Sequence, residues 1–312
     1  MARVLVTGMA GGLAHLVADR LVALGHEVIG VDYRPVPRLT GELSRVTVVR
    51  ASYNKTAIED VFRKYAFDAV LHLGRVGNLR ESAGKRFDLN VVGSQKIMTM
   101  CVQHGVKELV VLSTFHIYGA HPSNHIPISE DEPLRAGLDF PQLADAIQLD
   151  SMATSWVFRH REVRTVVLRP TNLIGPTLQN TMSKFLRLAR VPSIMGFDPM
   201  MQFVHESDMA DAIVAAATSD RSGVYNVGGP AVLPWTSALQ LAGARTYPIP
   251  SPVGALAMKL FTGFPQYLLN FFKYPCVISD AAFRSTFAWS PRVGIEDTLW
   301  STVESARTAQ RR

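Results

Sequence analysis

The residues Thr7-Gly8-Met9-Ala10-Gly11-Gly12-Leu13-Ala14 follow a short β-branched run and lead directly into a helical pattern. A strand, a glycine loop and a helix in that order can hold a diphosphate. Gly8 permits the tight turn, Gly11 and Gly12 let the phosphates approach the backbone, and the orphan N–H groups of the helix start offer positive potential. Ala14 supplies the small side chain that close helix-to-strand packing needs. Asp32 ends the second β-branched run, 24 residues after Gly8. A carboxylate there can accept hydrogen bonds from both hydroxyls of an adenosine ribose and would repel a 2′-phosphate, so NAD is expected ahead of NADP. Arg34 and Arg38 stand close enough in sequence to pair with a 2′-phosphate and temper that preference.

These residues need a scaffold, and the rest of the first half describes one. Strand patterns at Arg3–Thr7, Glu27–Asp32, Arg45–Arg50, Ala69–Leu73, Glu108–Ser113 and Val163–Arg169 alternate with helical patterns. The helical patterns are Gly12–Leu24, Thr56–Tyr65, Asp88–His104 and Pro141–His160. The alternation predicts an α/β fold, a Rossmann-type doubly wound parallel sheet. After Pro170 prolines and glycines multiply and the rhythm is lost, which predicts a smaller C-terminal substrate lobe over the strand ends. The expected division is a dinucleotide domain over 1–170, with some later segments returning to it, and a lobe over 171–312.

At 312 residues, 47% apolar and 19% charged, the chain can bury a substantial core without disulfides. Cys101 and Cys276 lie far apart, which suits a reducing compartment and argues against a disulfide framework or a cysteine metal site. The first apolar run passes straight into the glycine loop and does not read as a leader, so a cytoplasmic location is expected. The net charge of +6 is spread along the chain and not gathered into a basic stripe, so nucleic acid is not an expected partner.

The loop resembles the TGxxGxxG pattern of the extended short-chain dehydrogenases/reductases, the superfamily of NAD-dependent epimerases and dehydratases, and the resemblance continues in order down the chain. His72-Leu73-Gly74 is similar to the family's HLA strand end, Asn90 to an asparagine on the next helix, and Ser113–Gly119 to the SSxxVYG segment. Arg169–Pro176 is similar to RPxNxxGP and Phe203–Asp208 to FxHVxD; Val224–Gly229 and Trp289–Pro291 resemble later landmarks. The resemblance implies that Gly8, Met9, Ala10, Gly11, Gly12, Leu13, Asp32, Tyr33, Arg34, Ser52, Leu73, Gly74, Arg75, Asn90, Ser113, Pro170 and Asn172 line the dinucleotide. Thr114 matches the hydroxyl that bonds the substrate.

One element of the family pattern is missing. Its redox chemistry uses a tyrosine four residues before a lysine on the helix matched by Pro141–His160. Here no tyrosine lies between Tyr118 and Tyr225, and no lysine between Lys107 and Lys184. A carboxylate is no substitute for a phenol as an acid, with reference pKa values of about 4 and about 10. Replacement proton carriers are therefore sought in His116, with His121 and His125 behind it, and in Asp145 or Asp150. Ser113 and Thr114 complete the catalytic candidates. The alternative is a protein that binds NAD without turning it over, a sensor or scaffold.

The substrate is harder to read. Met200, Met201 and Gln202 stand where nucleotide-sugar members carry a phosphate-gripping arginine, which weakens that class of substrate. Lys184, Arg187 and Arg190 recur three apart on an expected helix face that could receive an anion. Pro248–Phe272 is apolar apart from Lys259 and is interrupted by Pro252, Gly254, Gly263 and Pro265, so it reads as lobe core or a lid, with an apolar substrate or a weak membrane-surface contact as the sharper alternative, and not as a span. Family members pair through the helices matched by Asp88–His104 and Pro141–His160, which implies a homodimer.

Overall fold

Strands buried on both faces draw β-branched residues and pair in parallel, and here the first half of the chain supplies six of them. They are β1 (Arg3–Thr7), β2 (Glu27–Asp32), β3 (Thr47–Arg50), β4 (Ala69–His72), β5 (Glu108–Leu112) and β6 (Arg164–Pro170). The computed structural model describes residues 1–77, 81–250 and 268–310. In it β10 (Gly223–Val227) returns from the second half to complete a seven-stranded sheet of order β10-β6-β5-β4-β1-β2-β3. All of its pairs are parallel. The order reverses between β1 and β4, and that switch point opens a crevice at the carboxyl ends of the strands.

The helices up to residue 241 are α1 (Gly12–Ala23), α2 (Thr56–Lys64), α3 (Ala83–Phe87), α4 (Gly93–Gln103), α5 (Ala136–Asp139), α6 (Ala144–Arg159), α7 (Thr181–Leu186), α8 (Glu206–Ala217) and α9 (Trp235–Leu241), and further helices lie at Ala281–Phe287 and Ile295–Gln310. The period-2 geometry of β1 decides which cover which face. Val4 and Val6 pack with Val17 and Leu21 of α1 and Met209 and Ile213 of α8. Leu5 points the other way, into a core with Ile58 of α2, Ile97 and Met98 of α4, and Leu149 of α6.

Two smaller sheets follow: β7 (Asn172–Ile174), β9 (Met200–His205) and β11 (Val232–Pro234) form a three-stranded sheet, and β8 (Arg190–Ile194) pairs with β12 (Arg245–Ile249). Their core gathers Phe185, Phe203, Trp235, Phe271 and Phe272.

Several expected boundaries move. The third strand begins at Thr47 because Gly41–Arg45 winds into a 3-10 turn. The helix expected from Asp88 opens with a π turn over Asp88–Val92 before α4, and Pro141–Leu143 is a 3-10 turn ahead of α6. The basic helix face is corrected outright. Helix α7 ends at Leu186; Arg187 lies beyond it and Arg190 belongs to β8, since pairing with β12 claims the backbone that a longer helix would use. Of the apolar stretch Pro248–Phe272, residues 251–267 lie outside the described residues, and Leu268–Phe271 forms a short helix.

Candidate active site

At the switch point Gly8 takes φ +80°, and a Cβ there would lie 2.9 Å from Gly74 Cα, so the glycine loop and the end of β4 touch backbone to backbone. The N-cap of α1 is Gly11, with no side chain capping the helix start. Those N–H groups therefore remain available to an anion. Met9 turns away into the core, where it fills the space over Gly30, and only its backbone faces the loop.

Asp32 is fully buried at the end of β2. Its Oδ2 accepts the Ala10 N–H at 2.9 Å, which ties the acid to the loop, and its Oδ1 accepts the Arg34 N–H at 2.8 Å. The half-exposed Arg34 guanidinium donates to both carboxylate oxygens, each at 3.2 Å, and the pairing raises the arginine's pKa. Tyr53 closes the loop from below. Its hydroxyl accepts the Gly8 N–H at 2.9 Å, its ring fills the space beside Gly74, and burial pushes its phenol above the usual range.

The end of β4 is held by a directed hydrogen-bond chain. Ser94 Oγ gives its proton to Asn90 O at 2.6 Å, so His72 Nε2–H must donate to Ser94 at 2.8 Å and His72 Nδ1 must accept from Thr7 Oγ1 at 2.8 Å. Thr7 Oγ1 in turn accepts the Gly74 N–H at 3.1 Å. Burial lowers the His72 pKa to about 4, which keeps the ring neutral and the chain intact. Asn90 spans the next gap: its Oδ1 accepts the Val76 N–H, and its Nδ2 donates to Val76 O and, at 2.6 Å, to Asp145 Oδ2. Asp145 is buried on α6 with the buried Arg86 guanidinium 3.7 Å away.

Thr114 caps the 3-10 turn Phe115–Tyr118 that follows β5. Its Oγ1 lies 2.9 Å from His116 Nδ1. The His116 ring packs against Phe115 at 4.3 Å and Phe271 at 4.9 Å between centroids. Burial, helped by the Arg75 charge, drives its pKa down to about 3. At neutral pH it is therefore an uncharged hydrogen-bonding group. Beside it lies a small pocket whose lining includes His116, Asn172, Met182, Met201 and Phe271. Met200 does not line it and is 39% exposed. Gln202 exchanges hydrogen bonds with the Ile278 backbone, while its own carbonyl accepts from Thr171 Oγ1 and Asn172 Nδ2.

Other landmark residues are brought together as scaffold. Ser113 Oγ donates to Asp150 at 2.6 Å, and Arg169 grips both oxygens of that carboxylate at 3.0 and 2.6 Å. Arg169 also donates to Tyr118 Oη, which donates to Asn226. Ser113 and Asp150 are thus joined in this buried network. His121 and His125 sit on the 121–132 loop, bonded to Ser123 and Glu132, away from Thr114. Arg187 donates to the carbonyls of Thr302, Gly175 and Pro176 and not into the crevice. Ser52 bonds its neighbour Asn54, Leu73 is buried beside the loop, and Pro170 ends β6 in register with Val227.

Three side chains at this site carried no sign in the sequence pattern. Tyr53 sits in no glycine or acid spacing, and Thr177 and Glu206 meet only because β7 and β9 pair in parallel. The one available hint was Gly12, where a Cβ would lie 2.1 Å from Thr177 Oγ1.

A model of the NAD dependent epimerase/dehydratase family matches residues 4–228. An uncharacterized protein of Mycobacterium tuberculosis is 27% identical over 316 residues, covering 97% of this chain and 81% of that one. The UDP-glucuronate 4-epimerase of Thermodesulfobacterium geofontis is 24% identical over 324 residues, covering 96% and 94%. The UDP-glucose-4-epimerase of Stenotrophomonas maltophila, solved with bound NAD and formylated UDP-arabinopyranose, shares the fold with a TM-score of 0.78 at 19% identity, covering 100% and 99%.

Proposed function

Because the chain belongs to the NAD dependent epimerase/dehydratase family, we propose that it binds NAD(H) in the switch-point crevice and acts as an oxidoreductase or epimerase on a small-molecule substrate. The observation that carries this reading is the pairing of an uncapped helix start at Gly11 with a fully buried Asp32 tied to the same loop through Ala10. These residues fit the cofactor: with the Gly11 N–H given to Gly8 O inside the turn, the loop amides of Gly12 and Leu13 would receive its diphosphate, and Asp32 its adenosine ribose. Tyr33, Arg34 and Ser52 would border the adenosine, and Leu73, Gly74, Arg75, Asn90, Pro170 and Asn172 the remainder. When bound, the nicotinamide supplies a hydride acceptor or donor.

The chain's own contribution is orientation and hydrogen bonding. With its proton on Nδ1, neutral His116 donates to Thr114 Oγ1 and frees the threonine hydroxyl to donate to a substrate oxygen. Asn90 fixes the loop at Val76 and holds the buried Asp145 of α6. With no Tyr-x-x-x-Lys pair on α6, proton movement in this reading falls to Thr114 and Asp145, a non-standard site.

A specific observation favours a second reading, an NAD-binding sensor or scaffold without turnover. Phe271 packs against His116 and Phe115, and the space they leave among the described residues is closer to that of a single water molecule than to the roughly 300–1,000 Å³ usual for ligands. Calorimetry with NAD and NADP, followed by single-turnover absorbance at the nicotinamide band with UDP-sugars and apolar alcohols, tests both. Binding with reduction supports the enzyme, binding without reduction the sensor, and no binding of either dinucleotide refutes both.

The same reading extends to a homodimer through α4 and α6, supported by Phe158, 67% exposed on α6. The buried thiols Cys101 and Cys276 fit a reducing compartment such as the cytoplasm. No helix among the described residues is long and apolar enough to cross a membrane.

A further inference from the structure

Glu206 is a buried carboxylate, 2% exposed, for which the reading above has no use. It is the first residue of α8, and its oxygens accept the Thr177 N–H at 3.1 and 3.2 Å and the Thr177 hydroxyl at 2.9 Å. Gly175 is a glycine at a place where a Cβ would lie 2.4 Å from the Glu206 carboxyl carbon. Thr177 is in turn seated on the first residue of α1, since its Oγ1 occupies the space a Gly12 side chain would need. A buried negative charge therefore stands one hydroxyl group away from the helix start that would receive a diphosphate.

The charged groups around Glu206 do not replace Thr177 as its partner. Arg187, beyond α7, gives its hydrogen bonds to backbone carbonyls and Gln179, although its charge favours the ionised acid. Arg20 of α1 pairs with Asp211 and bonds Ser207. Asp208 accepts the amides of Arg292 and Val293, and the His205 ring accepts the Ser207 amide. Burial raises the Glu206 pKa against the lowering effect of the Thr177 donors.

We propose that Glu206 sets the affinity of the diphosphate subsite: its charge, presented through Thr177 at the start of α1, opposes the charge of the diphosphate, so the dinucleotide binds more tightly when Glu206 is neutral. The inference rests on the dinucleotide reading given above. Two anions held several ångströms apart in a partly dry crevice interact strongly enough to change affinity by about tenfold.

The test is calorimetric titration of NAD into the wild-type protein and Glu206→Gln from about pH 8 to about pH 5.5. The expected result is that Glu206→Gln binds about tenfold more tightly at the alkaline end. The wild type should tighten as pH falls, and the variant should lack that gain. A glutamine offers one acceptor oxygen where the carboxylate offers two, so the variant can loosen the loop and lose affinity. The wild-type acid gain then decides: present in the wild type and absent from the variant, it upholds the proposal. A variant no tighter than wild type, together with a pH response that is flat or equal in both proteins, overturns it. Wild-type protein that ignores NAD at every pH overturns the dinucleotide reading itself, an outcome distinct from the others.

Discussion

Asp150→Ala is the perturbation whose size the structure defines best. Asp150 is fully buried and Arg169 is 3% exposed. The carboxylate accepts two hydrogen bonds from the guanidinium, at 3.0 and 2.6 Å, and a third from Ser113 Oγ at 2.6 Å. Removing it strands a buried arginine charge and leaves the Ser113 hydroxyl without its acceptor. Breaking a buried pair from one side costs about 3–5 kcal/mol, about a fifth or more of the roughly 5–15 kcal/mol that holds a typical domain folded. Urea denaturation followed by far-UV circular dichroism should show the midpoint falling by about 1–2 M for a slope of about 3 kcal/mol per molar. The partner variant Asp150→Leu combined with Arg169→Met removes both charges and should recover most of the loss. A loss below about 1 kcal/mol for Asp150→Ala would refute the assignment of this network as scaffold, and so would a double variant no better than the single one.

Arg34→Ala removes the cation that lies over Asp32, so NADP affinity should fall by more than NAD affinity in parallel calorimetric titrations; equal losses would show that Arg34 does not face the 2′ position. His72 and His116 have folded pKa values lowered to about 4 and about 3, so the unfolded chain binds up to two more protons below the ordinary histidine value of about 6.5. Stability should therefore be full above that value and decline as pH falls through 6 and 5, by up to about 2.7 kcal/mol per pH unit, measured by urea denaturation at each pH. His72→Gln and His116→Gln should flatten this slope, and an unchanged slope in both would refute the buried, neutral state of the rings.

The amino-acid pattern by itself determined the sheet and the loop. Period-2 burial in β1, the glycines at 8, 11 and 12, and an acid at the end of the second strand are local signals, each set by neighbours within a few residues, and they account for Leu5 and Val6 facing opposite cores. Local signals also misplaced what long-range pairing controls. Arg190 reads as the next turn of a helix until β12, more than fifty residues later, claims it as a strand.

The roles of the polar landmarks were decided only in three dimensions, because a side chain's chemistry depends on the partners and water around it. Ser113 reads as a candidate hydroxyl, and Asp150 of α6 takes its proton. His116 reads as a proton carrier near neutrality, and Phe115 and Phe271 dehydrate it to a pKa of about 3. Thr177 and Glu206 reach the glycine loop across more than 160 residues of chain, a meeting that no spacing could announce and that the parallel pairing of β7 with β9 imposes.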